Sequence, residues 1–183
     1  RSLTVIDQGI ADTANGGMTV TALLASAGTA TDAEYDSPVP MVPVLPLGIA
    51  VTGVTNSNGT WQYKVGTGAW TDIPTASSNG SALLLAGSDR VRFVPSGSGF
   101  TNTDTGGLTF KAWDLTSGTA GGTADTSADA YSTGGATVTI RVDAVPTLTA
   151  TGGAKTFGVG VDSATTSLFS GVTASTVEAG QSF

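Results

Sequence analysis

The chain has 183 residues, no cysteine, no histidine, and a formal charge of −7 from seven Lys and Arg against fourteen Asp and Glu. Without Cys and His there are no disulfides, no thiolate or imidazole metal sites, and no Ser-His or Cys-His catalytic pair. Seven scattered basic residues cannot build the positive face that nucleic acid or an anionic membrane surface requires, and no apolar run reaches the roughly 18 residues of a bilayer span.

The missing thiols leave the redox compartment open. A chain of this length holds one β-domain and a further piece, or two small domains. Gly, Thr, Ser and Ala dominate, which favours strands and turns over helix. The sequence opens at Arg1 in mid-pattern, as expected of a piece cut from something longer.

Residues 2–6 alternate and predict an opening strand, followed by an Asp/Asn/Gly-rich turn region to Gly17. Residues 18–24 read as a second strand or edge segment. Residues 25–36 read as loop, with room for one helical turn at 31–35. Pro38, Pro40, Pro43 and Pro46 then fall within nine positions. Each fixes φ and removes a donor, so the segment is expected to be an extended crossover lying on the sheet.

The organising stretch runs from Gly48 to Pro95. Residues 49–54, 60–65, 70–73, 82–85 and 90–94 read as short strands, separated by turn clusters at 56–59, 66–68, 77–80 and 86–89. Such spacing predicts an antiparallel sandwich or barrel with a β-hairpin core. Trp61, Tyr63 and Val65 share one face opposite Gln62 and Lys64, and Val91 and Phe93 point inward. Residues 97–107 read as a long turn. Residues 108–113 form a strand with Leu108, Phe110 and Ala112 on one face, and 114–135 a Gly/Thr/Ala/Ser/Asp loop. Residues 137–142 form the last strand, and Asp143-Ala-Val-Pro146 marks a boundary.

The remaining residues look like a second beginning. Leu24 through Glu34 lines up with Leu168 through Glu178 at a separation of 144 residues, and Ser2-Leu-Thr4 with Thr147-Leu-Thr149 at 145. This divides the chain into a complete repeat, 1–145, and a linker with the start of the next repeat, 146–183.

Gly48-Ile-Ala-Val-Thr-Gly-Val54, Gly59-Thr-Trp-Gln-Tyr63, Asp89-Arg-Val-Arg-Phe-Val-Pro95 and Leu108-Thr-Phe-Lys-Ala-Trp-Asp114 resemble the tandem cadherin-like or immunoglobulin-like repeats of very large bacterial surface and secreted proteins. Val138-Thr-Ile-Arg-Val-Asp-Ala-Val-Pro-Thr-Leu148 is similar to their last strand and linker. The resemblance implies an all-β, antiparallel Greek-key sandwich followed by the opening strands of a second repeat, at the bacterial cell surface or outside the cell. It also implies calcium at the inter-repeat junction, with Asp89, Asp114 and Asp143 at matching positions. The pattern departs from the family where Val91 stands in place of a Glu and where the linker lacks an Asn-Asp pair. Calcium takes six to eight oxygens, so three Asp alone do not complete a site; turn-making is the alternative role for Asp114 and Asp143.

Other chemistry is thinner. Asp32, Glu34, Asp36, Asp125 and Asp129 lie in loop-like stretches with no frame to hold a glycosidase pair. Trp61, Tyr63, Trp70 and Trp113 are candidates for a sugar-stacking platform, and Trp113, alternating away from Leu108 and Phe110, is the one expected at the surface. Asn58-Gly-Thr60 and Asn79-Gly-Ser81 are glycosylation sequons. Two functions follow. One is a non-enzymatic structural repeat of an extracellular fibre or adhesin, meeting adjacent repeats or copies of itself through strand contacts made by Leu148, Phe157, Leu168 and Phe169. The other is a module that binds a glycan or a surface protein through Trp113.

Overall fold

The computed structural model describes residues 6–7, 9–27, 47–96, 104–143, 147–152 and 169–175. The predicted helical turn at 31–35, the proline-rich crossover through Pro46, and Phe157 and Leu168 lie outside the described residues. The elements in chain order are β1 (Ile6–Asp7), β2 (Met18–Thr19), α1 (Val20–Ala27), β3 (Gly48–Val54), β4 (Gly59–Lys64), β5 (Thr71–Asp72), β6 (Ala82–Leu85), β7 (Arg90–Pro95), β8 (Asp104–Trp113), β9 (Thr123–Ala124), β10 (Tyr131–Asp143), β11 (Thr147–Gly152) and β12 (Phe169–Ser175).

Two sheets share a core. A six-stranded sheet has the order β1-β10-β8-β3-β6-β9, and a four-stranded sheet the order β2-β7-β4-β5. Neighbours pair antiparallel except β1, which runs parallel to β10 with Ile6 level with Val142 and Asp7 with Asp143. Ile49, Val51, Leu83, Leu85, Leu108, Phe110, Val138 and Ile140 of the first sheet meet Trp61, Val91 and Phe93 of the second. Trp61 and Phe93 make an edge-to-face pair, centroids 5.4 Å apart at 63°, an arrangement that adds about 0.5–1.5 kcal/mol beyond simple burial. Gly59 leaves room for it: a Cβ there would collide with the Phe93 ring.

The predicted strands from residue 49 to 94 are all present, but the hairpin reading is corrected. β3 and β4 belong to different sheets, as do β6 and β7; only β4 and β5 pair as a hairpin. The turn clusters reverse the chain, and the burial of each strand decides which sheet it joins.

Residues 18–24 are not one strand. β2 ends at Thr19, whose Oγ1 accepts from the Ala22 N–H at 3.2 Å and caps α1. Carbonyls of the β6–β7 turn satisfy the helix's first donors, Val20 N–H to Asp89 O at 2.9 Å and Thr21 N–H to Gly87 O at 3.0 Å. Val20 and Leu23 are fully buried, so packing and capping outweigh the strand propensity of Val20 and Thr21.

The predicted loop at 114–135 is also ordered. It contains β9 on the edge of the large sheet, and β10 begins at Tyr131. Ala50, Ala82, Leu84, Trp113, Ala130 and Tyr131 form a second small core on the outer face of that sheet. Gly121 N–H donates to Leu84 O and Leu84 N–H to Gly122 O, stitching the cover down. The Tyr131 hydroxyl is buried there with no hydrogen-bond partner. Desolvation, then the charge of Asp114, raise its pKa.

Because the folded state favours the neutral phenol, the contribution of Tyr131 is complete below the unfolded tyrosine pKa of about 10 and is lost as pH rises past it towards the raised folded value. Tyr131→Phe is expected to leave stability at neutral pH unchanged or increased and to flatten the alkaline decline. Urea titrations of both proteins across that range check this; a parallel decline contradicts it.

Candidate functional site

Asp89 is 2% exposed. Its Oδ1 accepts from the Gly66 N–H at 2.9 Å and its Oδ2 from the Ala86 N–H at 2.8 Å. The carboxylate therefore joins the loop after β4 to the turn after β6, and that turn holds the start of α1. Asp114 Oδ1 accepts from the N–H and Oγ1 of Thr116 at 2.8 and 2.7 Å, a local turn. Asp143 lies at the far end of β10, level with Asp7, and its Oδ1 is buried without a hydrogen-bond partner.

The three aspartates do not assemble. Trp113 is level with Tyr131 at one end of the β8–β10 pair, while Asp143 follows Arg141, which is level with Asp104 at the other. The ten residues of β8 put on the order of 30 Å of strand between Asp114 and Asp143, at about 3.3 Å per residue. This corrects the expectation of a shared calcium set: antiparallel pairing sends the two strand ends apart. Among the described residues no three His, Cys, Asp or Glu are grouped to hold a metal.

Trp113 also requires correction. It does alternate to the face opposite Leu108 and Phe110, but it is 2% exposed, because the 115–130 segment covers that face. Its Nε1 donates to Ser117 O at 2.7 Å. Trp61 is in the main core, and the half-buried Trp70 has Arg92 at 4.3 Å and Lys64 at 5.0 Å from its ring centroid. None of the three is an open stacking platform.

Arg92 itself is a feature that composition did not disclose. It alternates outward from Val91 and Phe93, yet is 5% exposed. Its guanidinium meets Asp12 Oδ1 at 2.6 Å, Asn15 O at 3.1 Å and Gln62 Oε1 at 2.9 Å. Arg90 adds bonds to Gly16 O and Gly17 O at 2.8 and 2.9 Å. Together they pin the 12–17 loop across β7. Under that loop is an apolar cleft of about 250 Å³, lined among others by Ile6, Ile10, Met18, Trp61 and Ile140.

The described residue pattern most open to a partner is β11 with β12. They form a separate two-stranded antiparallel sheet, Leu148 level with Ala174 and Thr149 with Thr173. Leu148 is 73% and Val172 59% exposed. Val172 lies where the register shifts, between the Thr149–Thr173 and Thr151–Ser170 pairs. Phe169 is level with Gly152. At the 144-residue offset, Ala25–Ala27 of α1 corresponds to positions in β12, so the aligned segments differ in conformation. α1 rests on a sandwich body through Val20 and Leu23, and β12 pairs with β11.

No helix among the described residues is long and apolar enough to cross a membrane. No protein-family model, curated protein or solved structure matches the chain.

Trp113→Ala is expected to destabilise the fold by about 3–5 kcal/mol in urea titrations, the cost of emptying a packed aromatic site; a loss under about 1 kcal/mol, usual for surface positions, contradicts its placement. Asp89→Ala is expected to cost about 1–3 kcal/mol for each N–H left unpaired, equally in calcium and in chelator. A loss seen only with calcium marks the carboxylate as a ligand instead.

Proposed function

We propose that this chain is a non-enzymatic structural bead of an extracellular or bacterial cell-surface fibre or giant adhesin, joined to adjacent repeats or copies of itself by strand contacts. The observation that carries the proposal is the separate β11–β12 sheet, with Leu148 and Val172 both exposed on it. A two-stranded sheet is marginal on its own in water and gains stability from added strands or a surface to cover its apolar face. A contact between one molecule's tail and another's body is heterologous and propagates when it does not close.

The cadherin-like or immunoglobulin-like Greek-key reading belongs to the same proposal. Its support is the sandwich and the parallel docking of β1 on β10, which brings the first strand of the bead beside its last. The non-enzymatic reading is supported by the use of carboxylates in turns: Asp89 and Asp114 accept backbone N–H groups, and Asp125 accepts from Ser127 N–H at 2.8 Å. In the proposal residues 146–183 are the linker and opening strands of the next repeat.

Light scattering across a concentration series tests this. The full chain is expected to associate, and deletion of 147–183 or the double change Leu148→Asp, Val172→Asp to abolish association without lowering the melting temperature of the sandwich. A full chain that stays monomeric at every concentration, with its tail protease-sensitive, counts against the proposal.

A further inference from the structure

Three Asn-Gly steps occur among the described residues: Asn15-Gly16, Asn58-Gly59 and Asn79-Gly80. At such a step the backbone nitrogen of Gly can attack the Asn side-chain amide, because glycine has no Cβ to obstruct the approach. The reaction requires an Asn side chain open to solvent and a Gly nitrogen with room to reach it, and the fold grants these unequally.

Asn15 is 6% exposed, and its Nδ2 is held by Phe93 O at 2.8 Å. Asn58 is exposed, but Gly59, whose nitrogen would attack, is buried at the start of β4, level with Pro95 and packed on Phe93. Asn79 and Gly80 are both exposed. They occupy a turn closed by the isolated Ser78–Ser81 bridge, and a Cβ at Gly80 would meet nothing within 4 Å.

We propose that Asn79 is a self-modification site, deamidating ahead of the other two and loosening the segment that covers the outer face of the large sheet. The Gly80 nitrogen, losing its proton to hydroxide, bonds to Asn79 Cγ. The Cγ–Nδ2 bond breaks and ammonia leaves with a proton from water, giving a cyclic imide. Water then opens the imide at either carbonyl to aspartate or isoaspartate. Water is the only co-reactant and nothing is oxidised or reduced.

The consequence follows from what Asn79 holds. Its backbone carbonyl accepts from Thr126 N–H at 2.8 Å and from Thr126 Oγ1 at 3.1 Å, and its Oδ1 lies 3.3 Å from the same hydroxyl. Thr126 is 3% exposed and lies two residues after Ala124, which packs against the cluster of Leu84 and Trp113. In isoaspartate the chain runs through Cβ and Cγ, so the former backbone carbonyl becomes a free carboxylate and the acceptor for Thr126 is displaced. A modification at an exposed turn thereby acts on a buried threonine of the covering segment.

The experiment incubates the full chain at mildly alkaline pH and follows amide-to-acid conversion by peptide mass mapping. Asn79 is expected to convert about tenfold faster than Asn15, the factor for breaking one ordinary hydrogen bond to reach the attack geometry, and faster than Asn58. Asn79→Gln removes the fast conversion. In converted protein, hydrogen exchange at the Leu84 and Gly121 amides is expected to rise, with the amides of β7 unchanged. Conversion first at Asn15 or Asn58 overturns the site. Conversion at Asn79 with unchanged exchange at Leu84 and Gly121 overturns its coupling to the cover.

Discussion

The six-stranded sheet has two apolar faces at its centre, and most of the fold follows from having to cover both. Every residue of β6 is buried, as are the first four of β3. Ile49, Val51, Leu83 and Leu85 face the second sheet and α1; Ala50, Ala82 and Leu84 face the other way with Trp113. Leaving the outer set in water would forfeit about 25 cal/mol for each Å² of apolar surface. Among the described residues this outer face is met by a loop. The 115–130 segment is rich in small residues, so its backbone lies close to the sheet. Gly118, at φ 89 and with no space for a Cβ against Leu84, makes the close approach.

Polar groups hold the ends of this arrangement. Asp89 gathers the loop after β4, the turn after β6 and the start of α1 around one buried carboxylate. Arg92, with Arg90, ties the 12–17 loop to the outer face of the small sheet. Both are charged residues in low-exposure positions that accept or donate several hydrogen bonds, the condition under which burying a charge is tolerable. These residues fix how the loops and the helix sit on the sandwich.

The tail differs in kind. In the body, both faces of the central strands are covered and the tryptophans are enclosed or stacked. In the β11–β12 sheet, Leu148 and Val172 face outward on a pair of strands too few to form a core. Helix α1 exists because a turn satisfies its first N–H groups and a sandwich accepts Leu23.

Period-two alternation and turn residues were enough, from the sequence alone, to locate the strands from Ile49 to Phe93, the β8 and β10 cores and the inward set of Phe93, Leu108 and Phe110, since these are local properties of side-chain size and backbone freedom. The continuous apolar runs Ile49-Ala-Val51 and Ala82-Leu-Leu-Leu85 also carried the signal of strands covered on both faces. Tertiary structure alone decided which sheet each strand joined, because a turn reverses the chain without naming the strand's partner. It decided that Trp113 lies under a loop, that Asp89 is a clamp and that Asp143 stands far from Asp114, because burial and proximity arise from residues distant along the chain. Alternation could say that Trp113 faces away from Phe110; only the folded cover determines whether that side meets water.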